Sequence, residues 1–276
     1  MALLAEALLD ESEHTLLSKV EAPQRLECLG QSLLLTQHIG DDSIQRLTEE
    51  FSGLSRDTYG IKKITSESPL LLDVGGNIGF VSVITSLLHP KSQVVVFEPS
   101  PLTYFFLRVN LALNNIHVLT SEELQNHPTL PVVYPVHGGV GASAPLEFAS
   151  MADPKRVEKQ SQNGIVDLRH GGDVPVYNLG AFLQTHGLIS RVFDVVKLDC
   201  ECCEYYVIPD NSAWILDRTK VKSLTGEIHG CGHTEHDTEK KMLAVLRERG
   251  CEFRAANFRK EDGRFQLTAN LNDNCT

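Results

Sequence analysis

Acids, a lysine and a histidine gather in two short stretches of this chain. Lys197-Leu-Asp199-Cys-Glu201-Cys-Cys-Glu204 sets one cation and three carboxylates behind an apolar run, and Glu227-Ile-His229 closes another such run. Side chains of these types move protons. A neutral imidazole titrates close to working pH, which suits His229 to general-base work, with Asp199 or Glu201 orienting the base or the molecule it acts on. Crowding of Asp199, Glu201 and Glu204 can also raise one carboxyl pKa, a second route to a base. Lys197 lies two residues before Asp199 on one strand face, where it forms either an ion pair beside a cleft or a structural salt bridge holding the strand end. His229, Asp199, Glu201 and Lys197 are thus the candidate catalytic residues; the plainer alternative is that Glu227 and His229 cap a strand.

The elements that must carry these residues are strands of a parallel sheet, whose carboxyl edge is where such folds keep their chemistry. Leu70-Leu-Leu-Asp-Val74 reads as a buried strand, Gly75-Gly-Asn-Ile-Gly79 as a turn opening a helix, and Gln93-Val-Val-Val-Phe-Glu98 as a second strand ending in a carboxylate. The glycines do not follow G-x-G-x-x-G, so no pyrophosphate cradle is present, and no G-x-x-x-x-G-K-[ST] loop occurs. What remains is Asp73-x-Gly75-x-Asn77-x-Gly79, with Glu98 placed to accept both hydroxyls of a ribose. This arrangement points to S-adenosylmethionine. The candidate cofactor-binding residues are Asp73, Gly75, Gly76, Asn77, Gly79, Glu98, Pro99 and Ser100. Methyl transfer is an in-line displacement on a sulfonium, so the protein supplies alignment, and an alcohol acceptor needs its proton removed.

Around this centre the pattern alternates strand and helix: helices over about 79–88 and 101–114, apolar pieces at 132–136 and 146–148, strands over 192–199 and 221–228, and a helix over about 235–248. Glu261-Asp-Gly263 between 251–258 and 264–271 predicts an antiparallel hairpin at the end. The expectation is an α/β fold, a doubly wound, mostly parallel Rossmann-like sheet of the class I methyltransferase type over residues 59–276. Residues 1–58 read as a helical extension, with leucines at helical spacing (Leu26, Leu29, Leu33, Leu34), a cap at Asp42 with Gln45 three residues on, and a stop at Gly53. Its leucine faces would pack on the sheet, cover the cleft or form a homodimer contact. The polar run between Ser150 and Asp173 is either a lid or disorder.

Composition narrows the partners. The 276 residues are 42% apolar and carry a net charge of −11, with Lys and Arg scattered, so no phosphate-neutralising face is expected and nucleic acid is a poor substrate. No apolar stretch approaches the roughly 18 residues a membrane span needs. The start Met1-Ala-Leu-Leu-Ala-Glu lacks a basic n-region and does not read as a secretory signal, and seven cysteines without framework spacing suggest reduced thiols in a cytoplasmic protein. Cys200, Cys202, Cys203, Cys231 and His233 could converge on zinc, but C-x-C-C is not a common zinc pattern and no metal is expected.

The residues resemble one group, the FkbM-type methyltransferases. Its D-x-G-x-N-x-G block is matched at Asp73–Gly79, its F-E-P-x-P and L-x-x-N-x-x-L-N blocks at Phe97–Pro101 and Leu107–Asn114, its K-x-D-x-E-G-x-E block at Lys197–Glu204, and its E-x-H at Glu227–His229. The resemblance implies S-adenosylmethionine-dependent O-methylation of a hydroxyl on a small molecule or sugar-containing (glycan) acceptor; magnesium at Asp199, Glu201 and Glu227 is not required by it. Two departures stand out: Cys202 and Cys203 replace a glycine and a small residue, and Leu179-Gly180 replaces an L-D pair. If the backbone at 202 has a positive φ, a cysteine there costs on the order of 1 kcal/mol. These cysteines motivate a second reading, an inactive cofactor-binding or partner-interaction protein on the same fold. A protein or amine acceptor is a further alternative.

Overall fold

A computed structural model describes residues 19–51, 56–120, 123, 132–141, 144, 146–151, 166–167, 172–228, 236–250, 254–259 and 264–268. At its centre stands a parallel sheet of β3 (Leu70–Val74), β4 (Gln93–Glu98), β5 (His117–Val118), β6 (Val132–His137), β11 (Phe193–Leu198) and β12 (Val221–Gly226), in the order β12-β11-β3-β4-β6-β5. β3, β4 and β11 are buried along their whole length, as strands covered on both faces are, and their mostly apolar runs are interrupted by buried Asp73, Asp194 and Lys197.

Successive side chains of these strands feed two separate cores, as the period-2 pleat dictates. Leu70, Leu72, Val74, Val95, Phe97, Val196 and Leu198 face α4 (Leu179–Thr185), α5 (Glu204–Asp210), α6 (Ser212–Leu216) and α7 (His236–Glu248). Leu71, Val94, Val96 and Val195 face α2 (Phe80–Leu88), α3 (Pro101–Leu113) and the N-terminal elements. Helices on both faces of a parallel sheet whose order reverses at β3 make this the class I methyltransferase fold. β13 (Arg254–Arg259) and β14 (Arg264–Thr268) pair antiparallel at the C-terminal end, forming a two-stranded ladder of their own.

The N-terminal segment departs from the helical expectation. β1 (Gln24–Cys28) and β2 (Gln31–Leu35) form an antiparallel hairpin in which Cys28 faces Gln31. Leu29 and Gly30 both have positive φ, 52° and 87°, the signature of a two-residue I′ turn, so leucines that fit a helical stripe instead alternate across a ribbon. Leu33 and Leu35 are buried against α2 and α3, in one core with Phe80 and Phe106. A helix does follow, α1 (Ser43–Glu50), but Asp42 makes no side-chain cap. Asp41 accepts from the Ser43 amide at 2.8 Å and Gln37 Oε1 from the Ile44 amide at 2.7 Å, so neighbours one and five residues upstream satisfy the helix start. Gly53 and residues 1–18 lie outside the described residues.

A second small sheet went unanticipated. β7 (Gly139–Val140), β8 (Leu146–Met151), β9 (Val166–Asp167) and β10 (Val174–Tyr177) line up as β7-β10-β8-β9. β9 therefore lies inside the polar run read as lid or disorder, most of which falls outside the described residues. Among the described residues, no helix is long and apolar enough to cross a membrane.

Candidate active site

The glycine turn after β3 is wedged between its two neighbouring strands. Gly75 and Gly76 both donate to the Phe97 carbonyl of β4, at 3.0 and 2.8 Å, while on the other side the Asp199 amide donates to the Val74 carbonyl at 3.0 Å. The reason for glycine is internal packing. A Cβ at Gly75, whose φ is +88°, would lie 1.8 Å from the Asp199 carbonyl oxygen, and one at Gly76 would lie 2.2 Å from Val96 Cγ2. Gly79 (φ +85°) precedes α2 and lies against Leu107. The sequence reading assigned these glycines to close cofactor approach; the structure gives them first to seating the turn between β4 and β11.

On the β4 side, Glu98 is fixed by its own loop. Its two carboxylate oxygens accept from the Asn77 and Ser100 amides, each at 2.9 Å. Asn77 takes φ 48° to offer that amide, and Ser100 also caps α3 by accepting from Thr103, with Pro101 following at the first helical position. Pro99 is half-buried between them. Burial pushes the Glu98 carboxyl up to about 7, against the pull of those two amides. A carboxylate has about four acceptor positions, so two backbone amides leave capacity for the hydroxyls of a ribose, and Glu98 fits an adenosine-containing donor.

On the β11 side lies a buried charge group. Lys197 and Asp73 face each other in ladder register, and Lys197 Nζ stands 3.1 Å from Asp73 Oδ1 and 3.6 Å from Asp199 Oδ2 while donating to the Gly75 carbonyl at 2.8 Å. Desolvation raises the Asp73 carboxyl pKa; Lys197 and the Ser82 hydroxyl, 3.2 Å away, work the other way. Lys197 thus reaches the expected Asp199, but its nearer partners are Asp73 and the glycine turn. Tyr59, which sequence reasoning missed, donates to Asp199 Oδ2 at 3.1 Å and lies with its ring 5.4 Å from the lysine nitrogen. No local motif marks Tyr59; only the tertiary fold brings it 140 positions along the chain to Asp199.

Beyond Asp199 the chain turns tightly. Glu201 and Cys202 adopt φ of 53° and 95°, so the position the resembled family fills with glycine does have a left-handed backbone, and cysteine bears its cost. Glu204, fully buried, accepts from the Cys200 and Cys202 amides at 2.9 and 2.8 Å, which makes it a clamp on this turn rather than a third repelling acid. The same turn brings Cys200 and Cys203 into a disulfide, correcting the expectation of reduced thiols there: three residues apart across the turn, their Cα atoms are 5.5 Å apart, within bonding range. Asn178 caps α4 by accepting from the Ala181 amide, and Gly180, where the resembled family has an acid, lies in the first turn of that helix. His229, Cys231 and His233 lie outside the described residues, and among the described residues no group of three or more side chains is set to hold a metal.

The parallel sheet with its glycine turn between an acidic β4 end and a charged β11 end defines a class I S-adenosylmethionine-dependent methyltransferase. No family model matches the chain. It is 30% identical over 182 residues to methyltransferase sdnD of Sordaria araneosa, covering 59% of this chain and 68% of that one, and belongs to the same methyltransferase family. It is also 25% identical over 203 residues to methyltransferase 1 of Beauveria bassiana strain ARSEF 2860, covering 69% of this chain and 78% of the relative. A crystal structure of M. jannaschii TYW2 in complex with AdoMet is similar with a TM-score of 0.38 at 11% identity, over 85% of this chain and 76% of that one.

Proposed function

We propose that this enzyme is of the FkbM type and transfers the methyl group of S-adenosylmethionine to a hydroxyl of a small molecule or sugar-containing metabolite. The observation that supports this reading is the placement of the glycine turn, bonded on one side to the strand that ends in Glu98 and on the other to Lys197 beside Asp199. Glu98 would hold the ribose, with Asn77 and Ser100 fixing its carboxylate. Asp73, Gly75, Gly76, Gly79 and Pro99 shape the rest of the donor site. The donor supplies an electrophilic methyl group. The chain's part is to orient the acceptor through Asp199 and Glu201 and to take its proton, a task assigned to His229. Lys197 and Tyr59 position Asp199.

Calorimetry with S-adenosylhomocysteine tests the division of labour. Glu98→Ala is expected to abolish binding measurable in the native chain, whereas Asp199→Ala keeps it within a few-fold; in a labelled-methyl acceptor screen, His229→Ala is expected to lower kcat by about 100-fold or more without loss of donor binding. Absence of donor binding by the native chain overturns the reading.

A further inference from the structure

The turn after β11 carries three cysteines in four positions, and Cys200 is joined to Cys203. We propose that Cys200 and Cys203 are a reversible thiol and disulfide pair, a modification site that exchanges with low-molecular-weight disulfides, and that the oxidised form is the one that holds the donor-binding turn in place. The inference rests on the reading of that turn as the S-adenosylmethionine site.

Access and reactivity separate this pair from Cys28. Cys200 and Cys203 are half-buried, within reach of a small reagent. Cys28 is fully buried in the N-terminal core, and burial pushes its thiol up to about 11, which keeps it inert. The exchange needs no electron carrier. The thiolate of one cysteine attacks a sulfur of the small disulfide and expels one small thiolate; the thiolate of the second then attacks the mixed disulfide and expels the other. One S–S bond is broken and one formed, and the two protons given up by the cysteines end on the two small thiols.

Coupling to the donor site is direct. Cys200 follows Asp199, whose carbonyl and whose successor's Cα lie 1.8 and 3.2 Å from the position a Cβ at Gly75 would take. The first cysteine is therefore stacked on the turn. The ring closed by the bond contains Glu201 and Cys202, both held in the left-handed region that side chains disfavour. Opening the ring lets Glu201 relax toward negative φ, which draws Asp199 and Cys200 away from Gly75. The Glu204 clamp on the Cys200 and Cys202 amides opposes this without forbidding it.

The test uses the full native chain equilibrated with oxidised or reduced glutathione. Differential alkylation followed by fragment mass analysis of the tryptic peptide Leu198–Arg218 is expected to place alkyl groups on both Cys200 and Cys203 after reduction and on neither after oxidation. S-adenosylhomocysteine calorimetry on the two forms is expected to show about five-fold weaker binding when reduced, the factor that relaxing roughly one strained residue implies. The Cys200→Ser/Cys203→Ser variant should match the reduced form and ignore glutathione. Equal alkylation in both states overturns the site. Unequal alkylation with equal affinity overturns the coupling and leaves the donor site standing. Unequal alkylation with no donor binding in either state overturns the coupling together with the methyltransferase site.

Discussion

Glu98 is the residue whose chemistry reports most directly on the donor. Its carboxyl is raised from an ordinary 4.5 to about 7 by burial, so between those values the folded protein holds a proton that the unfolded chain has released. Stability from this group is full below pH 4.5 and is lost as pH rises through about 7. In the proposed donor site the ribose hydroxyls donate to the anion, so donor binding would run the opposite way: affinity for S-adenosylhomocysteine is expected to rise as pH passes through about 7 and to be flat there in Glu98→Gln, as read by calorimetry across that range. Lys197 makes a second prediction. It is buried with Asp73, and Lys197→Met strands that acid; unfolding should become easier by about 3 kcal/mol in urea, the lower part of the range for broken buried pairs, because Asp73 can take up a proton. The cost should shrink at acid pH, where that proton is supplied freely.

At the scale of elements, α3 does more than cover the sheet. Asn110 accepts from the Thr36 amide at 2.7 Å and donates to the Thr36 and Ile78 carbonyls at 3.0 and 2.8 Å. Asn114, one helical turn on, does the same for Leu34, accepting at 2.9 Å and donating at 2.7 Å. Two side-chain amides thus finish the free edge of β2 as a neighbouring strand would. Asn110→Ala leaves three buried backbone groups unpaired and is expected to cost about 2–4 kcal/mol, with faster amide exchange at Thr36; Asn114→Ala, nearer solvent, should cost less. The helix motif holding both asparagines was legible in the sequence, but their partners were not, because a strand can be recognised only when its turn is, and Leu29 hides an I′ turn that Asn would announce. Leu29 is also buried in the N-terminal core, so Leu29→Asn gives up more burial than the turn regains and should lower Tm by a few degrees. The unit proposed to hold the donor was readable for the opposite reason: β3, turn, α2 and β4 are contiguous, so spacing alone encodes their geometry. The buried charge group draws Asp73, Lys197 and Tyr59 from distant positions, and only packing brings them together.

For the whole molecule, the two cores on either side of one sheet are unequal in origin. The face under α4 to α7 is built from residues later in the chain than β4, apart from the strands themselves. The opposite face closes only when the first described elements meet α2 and α3. Removing residues 19–37 takes away Leu33 and Leu35 together with the partners of Asn110 and Asn114, and should leave a chain with near-native helix content but no cooperative thermal transition, as read by circular dichroism and calorimetry.

The asparagine clamp also sets a clock on synthesis. The carbonyl and amide of Thr36 find their partner 74 residues later, and those of Leu34 theirs 80 residues later. At about 5–20 residues per second the hairpin emerges with an unpaired edge and waits several seconds or more for the helix that completes it. During that interval the nascent chain offers a ready template for any other strand, so this hairpin is the element with the most to gain from a chaperone.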